Sequence, residues 1–179
     1  MCDHHPTDLS RRRFAGLAAF GAGLSILPMR ALAQTSKAAG PLFLGVMCID
    51  YRYVNNALAV FNREAGSGNY DEVALAGAAL AANSSWAFPN ETPGFLEQLA
   101  VARSLHPDIS RVIVLDHMEC GAYKVTFGNM TPAQERAKHI EVAALVGPLL
   151  VAKGLTVKIF LAENPSTLPT VPIWQSPGQ

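Results

Sequence analysis

Arg111-Val-Ile-Val-Leu-Asp-His-Met-Glu-Cys-Gly121 is the stretch from which the rest of the chain can be read. The apolar run Val112 to Leu115 has the composition of a buried strand. It leads directly into His117-x-x-Cys120-Gly121, a soft-metal ligand pair just past the strand end. A strand delivers side chains to its C-terminal edge with little positional freedom, and a glycine there lets the backbone turn sharply. Alone, a His-x-x-Cys pair is a weak signal. It gains weight from Cys48, the other cysteine outside the extreme N-terminus, in Leu42-Phe-Leu-Gly-Val-Met-Cys-Ile-Asp-Tyr-Arg52. Two apolar runs, each ending in a ligand of zinc type and the first followed by Asp50 and Arg52, make a constellation.

Outward from these two runs, strands alternate with helices. Leu42 to Met47 is apolar on consecutive positions, which predicts a strand buried on both faces. Val54, Leu58 and Phe61 have helical spacing, and that segment ends at Gly66-Ser-Gly68. Asp71 to Leu75 reads as a second strand running into the small residues Ala76 to Ala82, followed by a loop from Asn83 to Asn90. Thr92-Pro93 opens a helix striped by Phe95, Leu96, Leu99, Ala102 and Leu105, which Pro107 stops. Thr131 and Gln134 have capping-box spacing and open a long helix with Ile140, Ala143, Ala144 and Leu145, which Pro148 is expected to kink or end. Thr156 to Leu161 is the last expected strand, and residues 164–179, with four prolines, read as an extended tail without a core of its own. The alternation predicts an α/β, three-layer domain on a four-stranded, mainly parallel sheet. Ligands in such sheets gather beyond the strands' carboxyl ends, where strand order reverses. The strands at 42–47 and 111–116 are therefore expected to be neighbours, with the site between their tips.

The N-terminus reads as an address. Ser10-Arg-Arg-Arg-Phe14 resembles the twin-arginine export motif, followed by an apolar segment to Leu27 and an Ala-x-Ala pattern at Ala31 to Ala33. That segment is shorter than the roughly 20 residues that span a bilayer. The expectation is a signal peptide over 1–33, a zinc domain over 34–163 and a Pro-rich tail over 164–179, exported to the bacterial periplasm without a stable membrane anchor after cleavage. Removal of residues 1–33 takes away Cys2 and four arginines. It leaves ten Lys and Arg against twelve Asp and Glu. No basic block remains, which argues against nucleic acid as a partner. In an oxidising compartment the default reading of Cys48 and Cys120 is a disulfide. Folding before export would instead let both thiolates take up metal first.

In sequence the pattern resembles the β-class carbonic anhydrases, whose signature is Cys-x-Asp-x-Arg after the first core strand and His-x-x-Cys-Gly after a later one. Here these stand as Cys48-Ile-Asp-Tyr-Arg52 and His117-Met-Glu-Cys-Gly121. The similarity spans roughly residues 41 to 162. The resemblance implies a zinc-dependent lyase that hydrates carbon dioxide reversibly to bicarbonate and forms a homodimer or higher homo-oligomer. Cys48, His117 and Cys120 would bind Zn2+ and leave a fourth position for water. Asp50 and Arg52 would form the catalytic dyad, Arg52 restraining an aspartate that can otherwise ligate the metal.

The sequence departs from the family pattern around, not within, the metal set. Tyr51 stands where serine is usual, Leu75-Ala-Gly-Ala-Ala79 replaces a polar Arg-Asn-Ala-Gly-Asn stretch, and Asp116 replaces a glycine. The family's N-terminal helices and their pocket glutamine have no counterpart in the few residues before the first strand. Other readings therefore stay open: a hydrolase of carbonyl sulfide or carbon disulfide on the same site, or a non-catalytic zinc-binding protein of the same fold. Asp50 and Arg52 also fit a plain surface ion pair. Glu119 is expected to be a solvated turn residue and His106 a helix-end residue. His139 is expected to face solvent more readily than to shuttle protons. Trp86, Phe88 and Tyr123 fit core packing, a pocket wall or a dimer contact.

Overall fold

The computed structural model describes residues 43–66, 68–83 and 90–178. Its centre is a five-stranded sheet, with β1 (Phe43–Met47), β2 (Tyr70–Ala74), β3 (Arg111–His117), β4 (Thr156–Ala162) and β5 (Trp174–Gln175) in the order β2-β1-β3-β4-β5. β1 is parallel to both β2 and β3, and β3 is parallel to β4. Only β5 runs antiparallel, against β4. The neighbouring strands expected at 42–47 and 111–116 are β1 and β3, in register with Val46 opposite Val114, while Leu42 lies outside the described residues. From β1 the chain moves to β2 on one side, and β3 then returns on the other side of β1. The order therefore reverses between the tips of β1 and β3.

Side-chain alternation along the strands builds the layers. Leu44, Val46, Val112, Val114, Val157 and Ile159 face one way and pack under α2 (Glu91–Leu105), α4 (Pro132–Val151) and a 3-10 turn at Ala78–Ala82. Phe43, Ile113, Leu115, Phe160 and Ala162 face the other way, under α1 (Val54–Ala65). Gly45 is required on that second face, because a Cβ there would lie 2.7 Å from the Phe61 ring. This is the expected three-layer arrangement.

Several local expectations shift. The capping box forms as read, with the Thr131 hydroxyl accepting from Gln134 N and the Gln134 side chain accepting from Thr131 N. Helix α4, however, runs through Pro148 to Val151. Its buried stripe is His139, Val142, Ala143, Val146, Gly147 and Leu150, while Ile140 and Leu145 are exposed. In α1 the buried face is Asn56, Ala57, Val60 and Phe61. In α2, Leu105 is exposed. In each helix the stripe is set by which face meets the sheet.

The Pro-rich segment is tied down as well as extended. Asn56 and Arg63 of α1 donate to the carbonyls of Thr167 and Pro169. The chain then supplies β5, and Trp174 packs where α4 has no side chain, against Gly147. Among the described residues no helix is long and apolar enough to cross a membrane. The signal-peptide reading of 1–33, and Trp86 and Phe88, lie outside the described residues.

Candidate metal centre

Each ligand candidate occupies the place that the topology assigns. Cys48 follows β1, His117 ends β3, and Cys120 precedes α3 (Gly121–Phe127). Their ligand atoms, two Sγ and a ring nitrogen, all lie within 4.8 Å of one another, and all three residues are buried. The thiols are free, with Sγ atoms 3.9 Å apart, so no disulfide joins them. Two thiolates on one tetrahedral zinc stand about 3.8 Å apart for Zn–S bonds of about 2.3 Å.

His117 is held in one orientation from both sides. Its Nδ1 lies 2.8 Å from the Met118 carbonyl, which accepts a hydrogen bond from that nitrogen. Tyr53 stacks on the imidazole with ring centroids 4.1 Å apart, and its hydroxyl donates to the same carbonyl at 3.2 Å. This leaves Nε2 facing the thiols, buried and without a hydrogen-bond partner. An orphaned imidazole nitrogen beside two buried thiols is a donor set that fits zinc.

The electrostatics agree with that chemistry. The Cys48 thiol is pulled below its ordinary pKa, first by the hydrogen bond from Cys120 and further by His117 and the Gly77 N–H, against the opposing effect of burial. Cys120 is pushed up by Cys48 and by burial. Burial would lower the His117 pKa, but the Cys48 sulfur and the Met118 carbonyl outweigh it and raise the value. A cation bound here would displace those protons.

Asp50 and Arg52 pair beside the ligands. They do so around a turn at Tyr51–Tyr53, not along an extended segment. The Asp50 carboxylate accepts from Arg52 N at 3.0 Å, Nε at 3.1 Å and Nη2 at 2.8 Å. Asp50 Oδ2 is 3.9 Å from His117 Nε2. The Arg52 guanidinium holds the Asp50 carboxyl below its usual range, with partial burial opposing. Glu119 is less solitary than expected. Its carboxylate accepts from Arg52 Nη1 at 3.1 Å and its carbonyl from Nη2 at 3.3 Å, in a left-handed conformation with φ +59°. A cavity of ≈ 600 Å³ opens beside the dyad, walled by Ile49, Tyr51, Ala76, Ala122 and Val125.

Some residues that shape the site were not singled out for that role by sequence. Tyr53 braces His117, the Gly77 N–H donates to Cys48 Sγ at 3.4 Å, and Glu135 accepts the Cys120 N–H at 3.0 Å. His139 does not face solvent. It is fully buried against Asp116 and the Tyr123 ring. The i, i+4 spacing of Glu135 and His139 on a predicted helix was the available signal, because it puts both on one face. His106 ends α2 as expected and pairs with Asp71 at 2.8 Å.

No protein-family model matches the chain. Over 119 residues it is 27% identical to an uncharacterized protein of Rickettsia conorii, covering 64% of this chain and 62% of that protein. It is 26% identical over 119 residues to an uncharacterized protein of Rickettsia bellii, covering 64% of this chain and 71% of that one. The chain thus spans less than two thirds of the length of the R. conorii relative. Similar solved structures include a β-carbonic anhydrase of the fungal pathogen Aspergillus fumigatus, with a TM-score of 0.44, 15% identity and coverage of 78% of this chain and 76% of that one. Tetrameric β-carbonic anhydrases of Sordaria macrospora align with a TM-score of 0.35, 14% identity and coverage of 68% and 75%.

Proposed function

We propose that the chain is a zinc-dependent lyase of the β-carbonic anhydrase type, hydrating carbon dioxide reversibly to bicarbonate. The observation that carries this reading is the orphaned His117 Nε2 facing two buried thiols, with a restrained carboxylate beside it. Cys48, His117 and Cys120 would hold zinc. When bound, zinc supplies a Lewis acid that lowers the pKa of a ligated water towards about 7. Asp50 accepts a hydrogen bond from the attacking oxygen and so orients its lone pair, and its depressed pKa keeps it an acceptor at neutral pH. Arg52, bonded to both carboxylate oxygens, keeps Asp50 from turning to the metal. The apolar walls of the cavity suit a small linear substrate with no hydrogen-bond donors.

The test is the carbon dioxide hydration rate of the zinc-loaded protein, followed from about pH 6.5 to 9. A chelator-sensitive rate that rises with pH and is lost in Cys48→Ser supports the reading. Bound zinc with no hydration overturns it. The second reading is hydrolysis of carbonyl sulfide or carbon disulfide, linear molecules that the same apolar cavity wall suits. Sulfide release from either compound decides that case, and zinc binding without either turnover identifies a binding protein.

Export and assembly belong to the same proposal. The twin-arginine pattern at 10–14 and the Ala-x-Ala pattern at 31–33 support a periplasmic location. N-terminal sequencing of protein from intact cells checks it, and retention of residues 1–33 overturns it. The exposed side chains Ile49, Tyr51 and Val125, gathered at the cavity mouth, support a homo-oligomer. Light scattering reads this directly, and a monomer overturns it.

A further inference from the structure

Behind the ligand triad lies a set of polar groups that the proposed reaction does not use. Asp116 immediately precedes His117 on β3 and is 1% exposed. Its Oδ2 accepts from the Tyr123 hydroxyl at 2.7 Å and lies 3.1 Å from His139 Nδ1. Its Oδ1 accepts the Ala79 N–H at 3.0 Å. Tyr123 and His139 are fully buried, with ring centroids 3.7 Å apart. A carboxylate removed from water in this way persists only when donors converge on it, and here they arrive from three different segments.

Each of those segments also carries a group that acts on a cysteine. The turn holding Ala79 begins at Gly77, whose N–H donates to Cys48 Sγ. Helix α3, which holds Tyr123, starts directly after Cys120. Helix α4 holds His139 and, one turn earlier, Glu135, whose Oε1 accepts the Cys120 N–H and lies 3.9 Å from His139 Nε2. Gly77 has little room to drift, because a Cβ there would meet Leu80 at 2.8 Å and Ala122 at 2.9 Å. Through a single carboxylate, the strand bearing His117 is joined to the Gly77 turn, to α3 and to α4, each of which abuts one of the two cysteines.

We propose that Asp116, together with Tyr123 and His139, is a positioning cluster that sets the placement of Cys48 and Cys120 for the metal ion. The inference rests on the zinc site proposed above. It predicts that the cluster governs metal affinity and coordination geometry, which a role confined to folding leaves untouched. Groups one shell out from a metal typically alter its affinity 10- to 100-fold.

The test uses the full chain and two probes, zinc in competition with a chromophoric chelator and cobalt(II) read by its thiolate charge-transfer and d–d bands. Asp116→Asn keeps the shape and removes the charge, and its zinc dissociation constant is expected to weaken about 10- to 100-fold with altered cobalt bands. Tyr123→Phe deletes one hydroxyl and is expected to weaken zinc by several-fold. Val146→Ala, a buried change on α4 among apolar neighbours, serves as the control: the apo protein should melt earlier while zinc affinity and cobalt bands stay put. Should Asp116→Asn fail to fold, Tyr123→Phe decides alone. Wild-type bands and affinity retained in the folded variants overturn the inference alone. A wild-type protein that shows no cobalt–thiolate bands overturns the zinc site and the inference together.

Discussion

The floor and the mouth of the site are built from the same two loops and obey different physics. On the floor, Cys48, His117 and Cys120 are 7%, 1% and 2% exposed, and each is held by a buried backbone, aromatic or carboxylate contact. At the mouth, one to five residues away, Ile49, Tyr51 and Val125 are 65%, 85% and 69% exposed, and Arg52 bonds Asp50 and Glu119 at the solvent boundary. Hydrogen bonds and charges on the floor act in a low dielectric where a lost partner is not replaced by water. Those at the mouth are screened and interchangeable with solvent. One residue of separation along a loop therefore divides buried groups that could hold a metal from exposed groups set beside them.

The largest effect should come from the floor. Cys120→Ser replaces a thiolate with a poor zinc ligand, and zinc affinity is expected to fall on the order of a thousandfold, as befits one of three ligands in a tight site. Stoichiometric zinc in that variant, measured by metal analysis after dialysis, would break the comparison by placing the ligands elsewhere. Arg52→Ala comes next and crosses the divide. It strips Asp50 of its side-chain restraints, and turnover should fall about a hundredfold, within the range of a lost acid–base group. The apo melting temperature should barely change, because exposed pairs hold little folding energy. The acid limb of its pH–rate profile should also move up in pH, since Arg52 is the main reason the Asp50 pKa is depressed. An unmoved limb with unchanged turnover would leave Asp50 and Arg52 an ordinary surface pair.

How much of this the sequence disclosed follows the same divide. The strand tips were readable because parallel strands buried on both faces are continuous apolar runs, and Val112 to Leu115 is one. The gathering of Cys48, His117 and Cys120 was readable because they sit at or just past the ends of two apolar runs that pair as neighbouring strands. The pairing of Asp50 with Arg52 was readable too, although it forms around a 3-10 turn that an i, i+2 spacing cannot distinguish from extended chain. Hidden were the contacts made by topology. Asp116 and His139 are 23 residues apart and meet only because α4 packs over the sheet, whereas His139 alone was expected to face solvent. The register of α4 was misjudged for a related reason: Ile140 and Leu145 are more apolar than His139, yet the face that meets the sheet is the one with Gly147 for Trp174 to fill. That same contact turns a proline-rich stretch into a sheet edge.

Gly147 supplies a smaller prediction that sharpens the comparison from outside. A Cβ at this position would collide with the Trp174 indole. Gly147→Ala should therefore destabilise the fold by about 1–3 kcal/mol, the usual effect of overpacking, read as a lower melting temperature. Zinc affinity should stay within about twofold, because the contact lies on the far stretch of α4 from Glu135 and distant sites are nearly independent. A large loss of zinc affinity at unchanged melting would mean that α4 transmits strain to the floor, and the site could no longer be divided by burial alone.

The smallest effect is expected from Glu119, and it bears most directly on the mouth. Its side chain is 75% exposed and faces an Arg52 side chain that is 36% exposed, so solvent screens most of the pair's attraction. Its second contact to Arg52 comes from the backbone carbonyl and survives substitution. Glu119→Gln should consequently lower turnover by no more than about threefold, and the difference from wild type should shrink at high salt as screening removes the charge term. Glu119→Gly adds a second handle, since φ of +59° strains any residue with a Cβ there and glycine relieves it. The glycine variant should match the glutamine variant in turnover and exceed it in apo melting temperature. A salt-independent loss as deep as that of Arg52→Ala would show that the Arg52–Glu119 pair behaves as a buried one. The boundary between floor and mouth would then lie further out, beyond the first layer of exposed side chains.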